Sequence, residues 1–204
     1  MNAQSGSVAR SRATNSPSPA AVTSIPDVTL LDPAGKPVKL SKLISRPTVL
    51  FIYPEAGTPA CTEEAKGFSA SKNELNALGF DVMGLSPDAP NAVKCFIDDE
   101  ALKIPMYCDP RDDKGVPRAL QALGAYGQKS LYGKIVTAVL RSTLILEPGS
   151  KAPVVRSAMI NIRAKGHVER VVQMLRDEHA SPGKDAAAKK PAKPKAAKES
   201  KPKK

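Results

Sequence analysis

Apolar side chains recur along this chain in two rhythms, and their order predicts its elements. Val28 and Leu30 precede Asp32-Pro33-Ala34-Gly35, and Val38 and Leu40 follow it, so two alternating segments around a turn-forming tetrapeptide predict a hairpin. Ser41 to Ser45 reads as a connector. Val49, Leu50, Phe51, Ile52 and Tyr53 then form an unbroken apolar run stopped by Pro54, as expected of a strand buried on both faces. A helical spacing takes over at Cys61 and continues through Ala65, Phe68, Leu75 and Leu78 to Gly79, with Glu63 and Glu64 in the expected first turn.

Phe80 to Leu85 predicts the next strand, and Val93, Phe96, Ile97 and Leu102 a second helix with Asp88 as its cap. Ile104 to Tyr107 reads as a short strand, Val116 to Leu123 as a third helix closed by Gly124, and Gly124 to Lys134 as a loop. Thr137 to Leu146 is an apolar strand interrupted by Arg141 and Ser142; Glu147-Pro148-Gly149-Ser150 turns the chain, and Val154 to Ile162 returns it. Gly166 and His167 lead into a last helix with Val168, Val171, Val172 and Leu175 on one face. Strands and helices that alternate, then close with an antiparallel pair and a helix, predict an α/β domain with a mixed central sheet flanked by helices. That order matches the thioredoxin-like fold.

The ends of the chain follow neither rhythm. Residues 1 to 23 are rich in Ser, Ala, Asn, Thr and Pro with almost no large apolar side chains, and are expected to lack order. Arg10 and Arg12 among serines and alanines also admit a mitochondrial presequence, which Pro17 and Pro19 disfavour. From Pro182 onward the chain is Lys, Ala and Pro, a basic tail also expected to be disordered. The folded domain is therefore expected over residues 24 to 181, with the tail at 182 to 204.

Charge follows the same division. The net charge of +11 invites a nucleic-acid reading, but nine lysines from Lys184 to Lys204 against Asp185 and Glu199 account for +7 of it, and Arg10 and Arg12 for two more. The body keeps about +2. In 204 residues of 41% hydrophobic content there is room for one domain with a real core, and no apolar run approaches the ~20 residues of a membrane helix. No apolar segment follows the first basic residues, so no secretory signal is expected. Three cysteines, an odd number, point to a reducing compartment, and with only His167 and His179 beside them no zinc site is expected, nor any cofactor.

Candidate chemistry centres on Cys61. A cysteine where a strand gives way to a helix meets unpaired backbone N–H groups and the positive end of the helix dipole, which favour thiolate, although a lone cysteine also serves as a small apolar filler. Arg141 is the second candidate: a permanent charge inside an apolar strand needs a specific partner, unless it points outward from an edge.

The segment Thr58-Pro59-Ala60-Cys61-Thr62, following a strand that ends in Tyr53-Pro54, resembles the active-site loop of the peroxiredoxins, in particular the peroxiredoxin Q or bacterioferritin comigratory group. Arg141-Ser142-Thr143 is similar to that group's RST segment, and the likeness runs from about Ile25 to about Leu175, including Leu131 to Lys134 and the pair Gly166 and His167. The resemblance implies a thiol-dependent peroxidase acting on hydrogen peroxide and organic hydroperoxides. Cys61 would attack the peroxide and become a sulfenic acid. Arg141 would hold the thiolate and polarise the peroxide, Thr58 would hydrogen-bond either, Pro59 would shield the sulfur, and the Cys61 N–H would add a donor. Glu64 matches a frequent family glutamate, for which a role as a helix-start charge would suffice. His167 reads as a structural hydrogen-bonding residue rather than a base.

Departures from the family pattern are Ala60 where glycine is common, Leu123 near a frequent tyrosine, and Lys66 where many members carry a resolving cysteine. Cys95 lies near an alternative resolving position, and otherwise an external thiol such as thioredoxin would serve; Cys108 reads as filler. A Cys61–Cys95 disulfide would require local unfolding at both helix starts. The implied oligomeric state is a monomer. The basic tail offers a competing function, sequence-blind nucleic-acid or chromatin binding through lysine–phosphate contacts. It also reads as a nuclear import signal, since nuclear thiol peroxidases occur among fungal relatives, with a cytoplasmic location as the alternative.

Overall fold

A computed structural model describes residues 23–131 and 133–180. The expectations for residues 1 to 22 and for the basic tail lie outside the described residues. The strands are β1 (Thr23–Ser24), β2 (Thr29–Leu31), β3 (Pro37–Lys39), β4 (Thr48–Ile52), β5 (Asp81–Ser86), β6 (Met106–Cys108), β7 (Tyr126–Leu131), β8 (Lys134–Val139), β9 (Ser142–Glu147) and β10 (Val154–Met159). The helices are α1 (Leu40–Leu43), α2 (Pro59–Ala77), α3 (Pro90–Asp99), α4 (Arg118–Ala122) and α5 (His167–Ala180).

Eight strands form one mixed sheet in the order β1-β10-β9-β4-β5-β6-β2-β3. At its centre β4 pairs parallel with β5 and antiparallel with β9, and all five of its residues are buried. The pleat sends Val49, Phe51 and Tyr53 to one face, where they meet Phe68 of α2, Val93 and Phe96 of α3, and Val171 and Leu175 of α5. Leu50 and Ile52 go to the other face, against Leu40 of α1, Ile44 just after it and Leu120 of α4. Helices on both faces explain why the run reads as continuously apolar rather than alternating. Close approach also selects a small residue: a Cβ at Gly84 would lie 2.7 Å from Met106 Sδ and from Phe51 Cζ.

The predicted hairpin forms as β2 and β3, and Gly35 takes φ +79° in its turn. Four expectations change. Ser41 to Ser45 is not a plain connector, because the chain makes the short helix α1 there. Asp88 does not cap α3; Ala89 occupies the N-cap, and Asp88 Oδ2 instead accepts the Ala56 N–H at 2.8 Å, tying the loop after β4 to the loop after β5. The expected loop from Gly124 to Lys134 contains β7, which pairs with β8 in a separate two-stranded ribbon.

That ribbon also divides the single strand expected from Thr137 to Leu146. Val139 pairs with Tyr126 in the ribbon, whereas Ser142 pairs with Ile52 in the main sheet. Leu140 and Arg141 make the passage between the two, held by Leu140 N–H on Ala125 O at 2.8 Å and by Ile162 N–H on Arg141 O at 2.9 Å.

Candidate active site

The helix carrying Cys61 starts two residues earlier than its apolar pattern suggests. Thr58 is the N-cap and Pro59 occupies the first turn, where a missing N–H costs nothing. Glu63 and Glu64 therefore fall beyond the first turn, and Cys61 lies within it. The Cys61 amide is not free for a ligand, because it donates to Thr58 O at 3.0 Å, as Thr62 N–H does at 2.9 Å. Thr58 Oγ1 donates back to Glu55 O at 3.0 Å, which holds the loop without capping the helix. Pro59 and Ala60 are exposed and Thr58 half-buried, so these three residues form the rim over a sulfur whose residue is only 1% exposed.

Arg141 comes to Cys61 from the position just before β9, the strand paired beside β4. Because it sits in the passage between ribbon and sheet, its side chain is not committed to a strand face. Nη2 donates to Cys61 Sγ at 3.1 Å, and Nη1 donates to Glu64 Oε2 in an ion pair. The side chains of Arg141 and Glu64 are 11% and 0% exposed. One planar guanidinium thus holds a carboxylate with one nitrogen and the sulfur with the other, an arrangement a lysine ammonium cannot reproduce.

Burial pushes the Glu64 carboxyl up to about 7, against the pull of Arg141. Burial also works against the charge on Arg141, but Glu64 and the sulfur outweigh it and hold the guanidinium above its ordinary value. A permanent positive charge therefore faces the sulfur in a site of low dielectric, where it stabilises negative charge developing there far better than in water.

The surrounding groups are held in defined states. His167 is buried, its Nε2 lies 2.8 Å from Thr143 Oγ1, and its ring meets Phe68 edge-on. Burial, with Arg170 and Arg141 nearby, lowers it to about 4, so it stays neutral and structural, as its position at the start of α5 predicts. The Tyr53 hydroxyl is buried beside Ser86 without reaching hydrogen-bond geometry, and burial pushes its ionisation upward.

Of the residues singled out in the sequence, the structure brings Cys61 and Arg141 into contact and sets Thr58 and Pro59 at the rim. It does not bring Cys95 to Cys61: Cys95 is exposed on α3, whose buried face carries Val93 and Phe96. Cys108 is buried at the end of β6, and burial pushes its thiol up to about 11, which suits an inert filler. Sequence reasoning undervalued Glu64. Its signal was there: a carboxylate three residues beyond the cysteine lies on the same helix face. Among the described residues no cluster of His, Cys, Asp or Glu could hold a metal ion, and no helix is long and apolar enough to cross a membrane.

Comparison with known proteins converges on one family. The model of the AhpC/TSA family matches residues 22–151. A putative peroxiredoxin of Mycobacterium tuberculosis is 38% identical over 146 residues, 72% of this chain and 88% of its own length. A putative peroxiredoxin Bcp of Helicobacter pylori is 35% identical over 150 residues, 74% of this chain and 93% of its own. Among solved structures, Xanthomonas campestris peroxiredoxin Q superposes with a TM-score of 0.64 at 26% identity, covering 76% of this chain and 96% of that one. Peroxidoxin BcpB of Mycobacterium tuberculosis does so with 0.60 at 27%, over the same shares. With the mixed sheet in place and Cys61 in the loop between β4 and α2, the chain belongs to the AhpC/TSA family, as a thiol-dependent peroxidase of the peroxiredoxin Q and Bcp kind.

Proposed function

We propose that Cys61 is the peroxidatic residue and that the chain reduces hydrogen peroxide and organic hydroperoxides through it. The observation that carries this reading is the guanidinium of Arg141, shared between Cys61 Sγ at 3.1 Å and Glu64. The thiolate attacks the terminal peroxide oxygen, the O–O bond breaks, and Cys61 becomes a sulfenic acid while the peroxide leaves as water or alcohol. Arg141 stabilises the sulfur charge before attack and the oxygen charge during it. Thr58 and Pro59 line the approach.

Resolution of the sulfenic acid falls to Cys95 or to an external thiol of the thioredoxin kind. Cys95 is exposed while Cys61 is buried, so the Cys61–Cys95 route needs local unwinding; the external route needs only access past the rim. The protein is expected to act as a monomer. The relatives named above are bacterial and lend the nuclear expectation no support, which leaves a cytoplasmic location. Nor do they favour nucleic-acid binding as the main activity; any such contact through the basic tail is a weak and salt-sensitive addition.

Intact mass with peptide mapping, after one equivalent of hydrogen peroxide on reduced protein, tests the reading. Loss of two hydrogens with Cys61 linked to Cys95 supports the internal route, and a sulfenic or higher acid at Cys61 alone supports the external one. Rapid oxidation that spares Cys61, or activity that survives Cys61→Ser, refutes the assignment.

A further inference from the structure

Two buried polar atoms at the site have no protein partner among the described residues: the Tyr53 hydroxyl and Glu64 Oε1. A buried carboxyl oxygen left unpaired costs free energy, and the ion pair does not need it, because Oε2 alone meets Arg141. Peroxide reduction does need something the ion pair lacks. The sulfur lone pair forms an S–O bond to the terminal oxygen of R–O–O–H, the O–O bond breaks, and its electron pair departs on RO⁻. Sulfur is oxidised to the sulfenic acid, and the peroxide is reduced to the alcohol only once RO⁻ takes up a proton.

We propose that Glu64 supplies this proton from its carboxyl group, with Oε1 as the atom that carries it, in addition to holding Arg141. This inference rests on the peroxidase reading. The other groups facing the site cannot serve: the Thr58 hydroxyl already commits its proton to Glu55 O. Arg141, between β8 and β9, stays charged; His167 of α5 is neutral and committed to Thr143 of β9; Tyr53, just after β4, holds its proton more firmly than an ordinary tyrosine because it is buried. Glu64 lies on the same face of α2 as Cys61 and beside the same guanidinium, and its burial holds a proton near neutrality, where a general acid works best. It is reprotonated from solvent after each turn.

The test varies the leaving group. With tert-butyl hydroperoxide the departing alkoxide is strongly basic and needs the proton; with peracetic acid the departing acetate does not. Stopped-flow oxidation of Cys61 in Glu64→Gln is expected to slow about 100-fold with the first and less than about threefold with the second. Equal slowing with both overturns the proposal and leaves Glu64 as a positioning residue for Arg141. If Glu64→Gln does not fold, as judged by thermal unfolding, wild-type protein decides: oxidation in D2O is expected to be about twofold slower with tert-butyl hydroperoxide alone, and no solvent isotope effect overturns the proposal. A wild type inert to both peroxides is a separate result that removes the peroxidase reading itself.

Discussion

Glu64 and His167 are buried ionisable groups whose titrations pull stability in opposite directions as pH changes. Burial raises Glu64 from 4.5 to about 7, so its contribution is fully present below 4.5 and is lost as pH rises through about 7. Burial lowers His167 from 6.5 to about 4, so its contribution is present above 6.5 and is lost as pH falls through about 4. In the wild type the two slopes overlap and oppose each other. Single variants separate them. Denaturant unfolding of Glu64→Gln is expected to show stability falling from pH 6.5 to 4, and that of His167→Asn to show it falling from pH 4.5 to 7; a flat profile in either variant contradicts the corresponding burial argument. Arg141→Lys keeps a charge but cannot span both the sulfur and the carboxylate, so peroxide oxidation of Cys61 is expected to slow about 100-fold or more, measured by stopped flow.

Elements here depend on single backbone positions. Beyond the C-cap of α3, Ala101 takes φ +48°; its N–H bonds Asp98 O while Leu102 N–H bonds Ile97 O, a C-terminal turn that glycine fits without strain. Ala101→Gly is expected to raise stability by about 0.5–1 kcal/mol in denaturant unfolding, despite the greater freedom of glycine in the unfolded chain. Gly84 is the reverse case. Its Cβ would meet the side chains of Met106 and Phe51 at 2.7 Å, so Gly84→Ala is expected to cost about 1–3 kcal/mol. Elements with a buried apolar face, β4, β5, α2 and α5, were legible in the sequence, because burial on one or two faces leaves a period. The β7–β8 ribbon was not: Gln128, Lys129 and Ser130 are polar, and the ribbon joins the core at its base, through Val139 and Tyr126. An apolar run also cannot show where a chain leaves one sheet for another, which is why the passage at Leu140 and Arg141 read as continuous strand.

For the whole molecule, burial sets the thiols apart although α2, α3 and the end of β6 share one core: Cys61 is buried under a rim, Cys108 is buried at a strand end, and Cys95 faces outward. If Cys95 resolves, oxidation must unwind helix starts, and hydrogen exchange of the disulfide form is expected to lose protection across Pro59 to Glu64 and around Cys95. Protection unchanged on oxidation favours the external thiol. The described domain holds all of the proposed catalytic residues, so deleting the residues after Pro182 is expected to leave peroxide consumption within about twofold of the full chain, because screened tail charges act weakly at a distance. A larger loss would give the tail a part in catalysis.

By itself the sequence determined the α/β order of the elements, the two-sided burial of β4 and the strand-to-helix loop that carries Cys61, because periodicity and local loop chemistry are written in neighbouring residues. It also marked Arg141 as a charge in need of a partner. Only the tertiary structure decided which partners. Glu64 was an ordinary helix acid until folding removed it from water, and Arg141 reached Cys61 Sγ only because the chain crosses from the ribbon to the sheet at that residue. Contacts 77 and 80 residues apart in the chain depend on where the strands pair, and no local pattern encodes that.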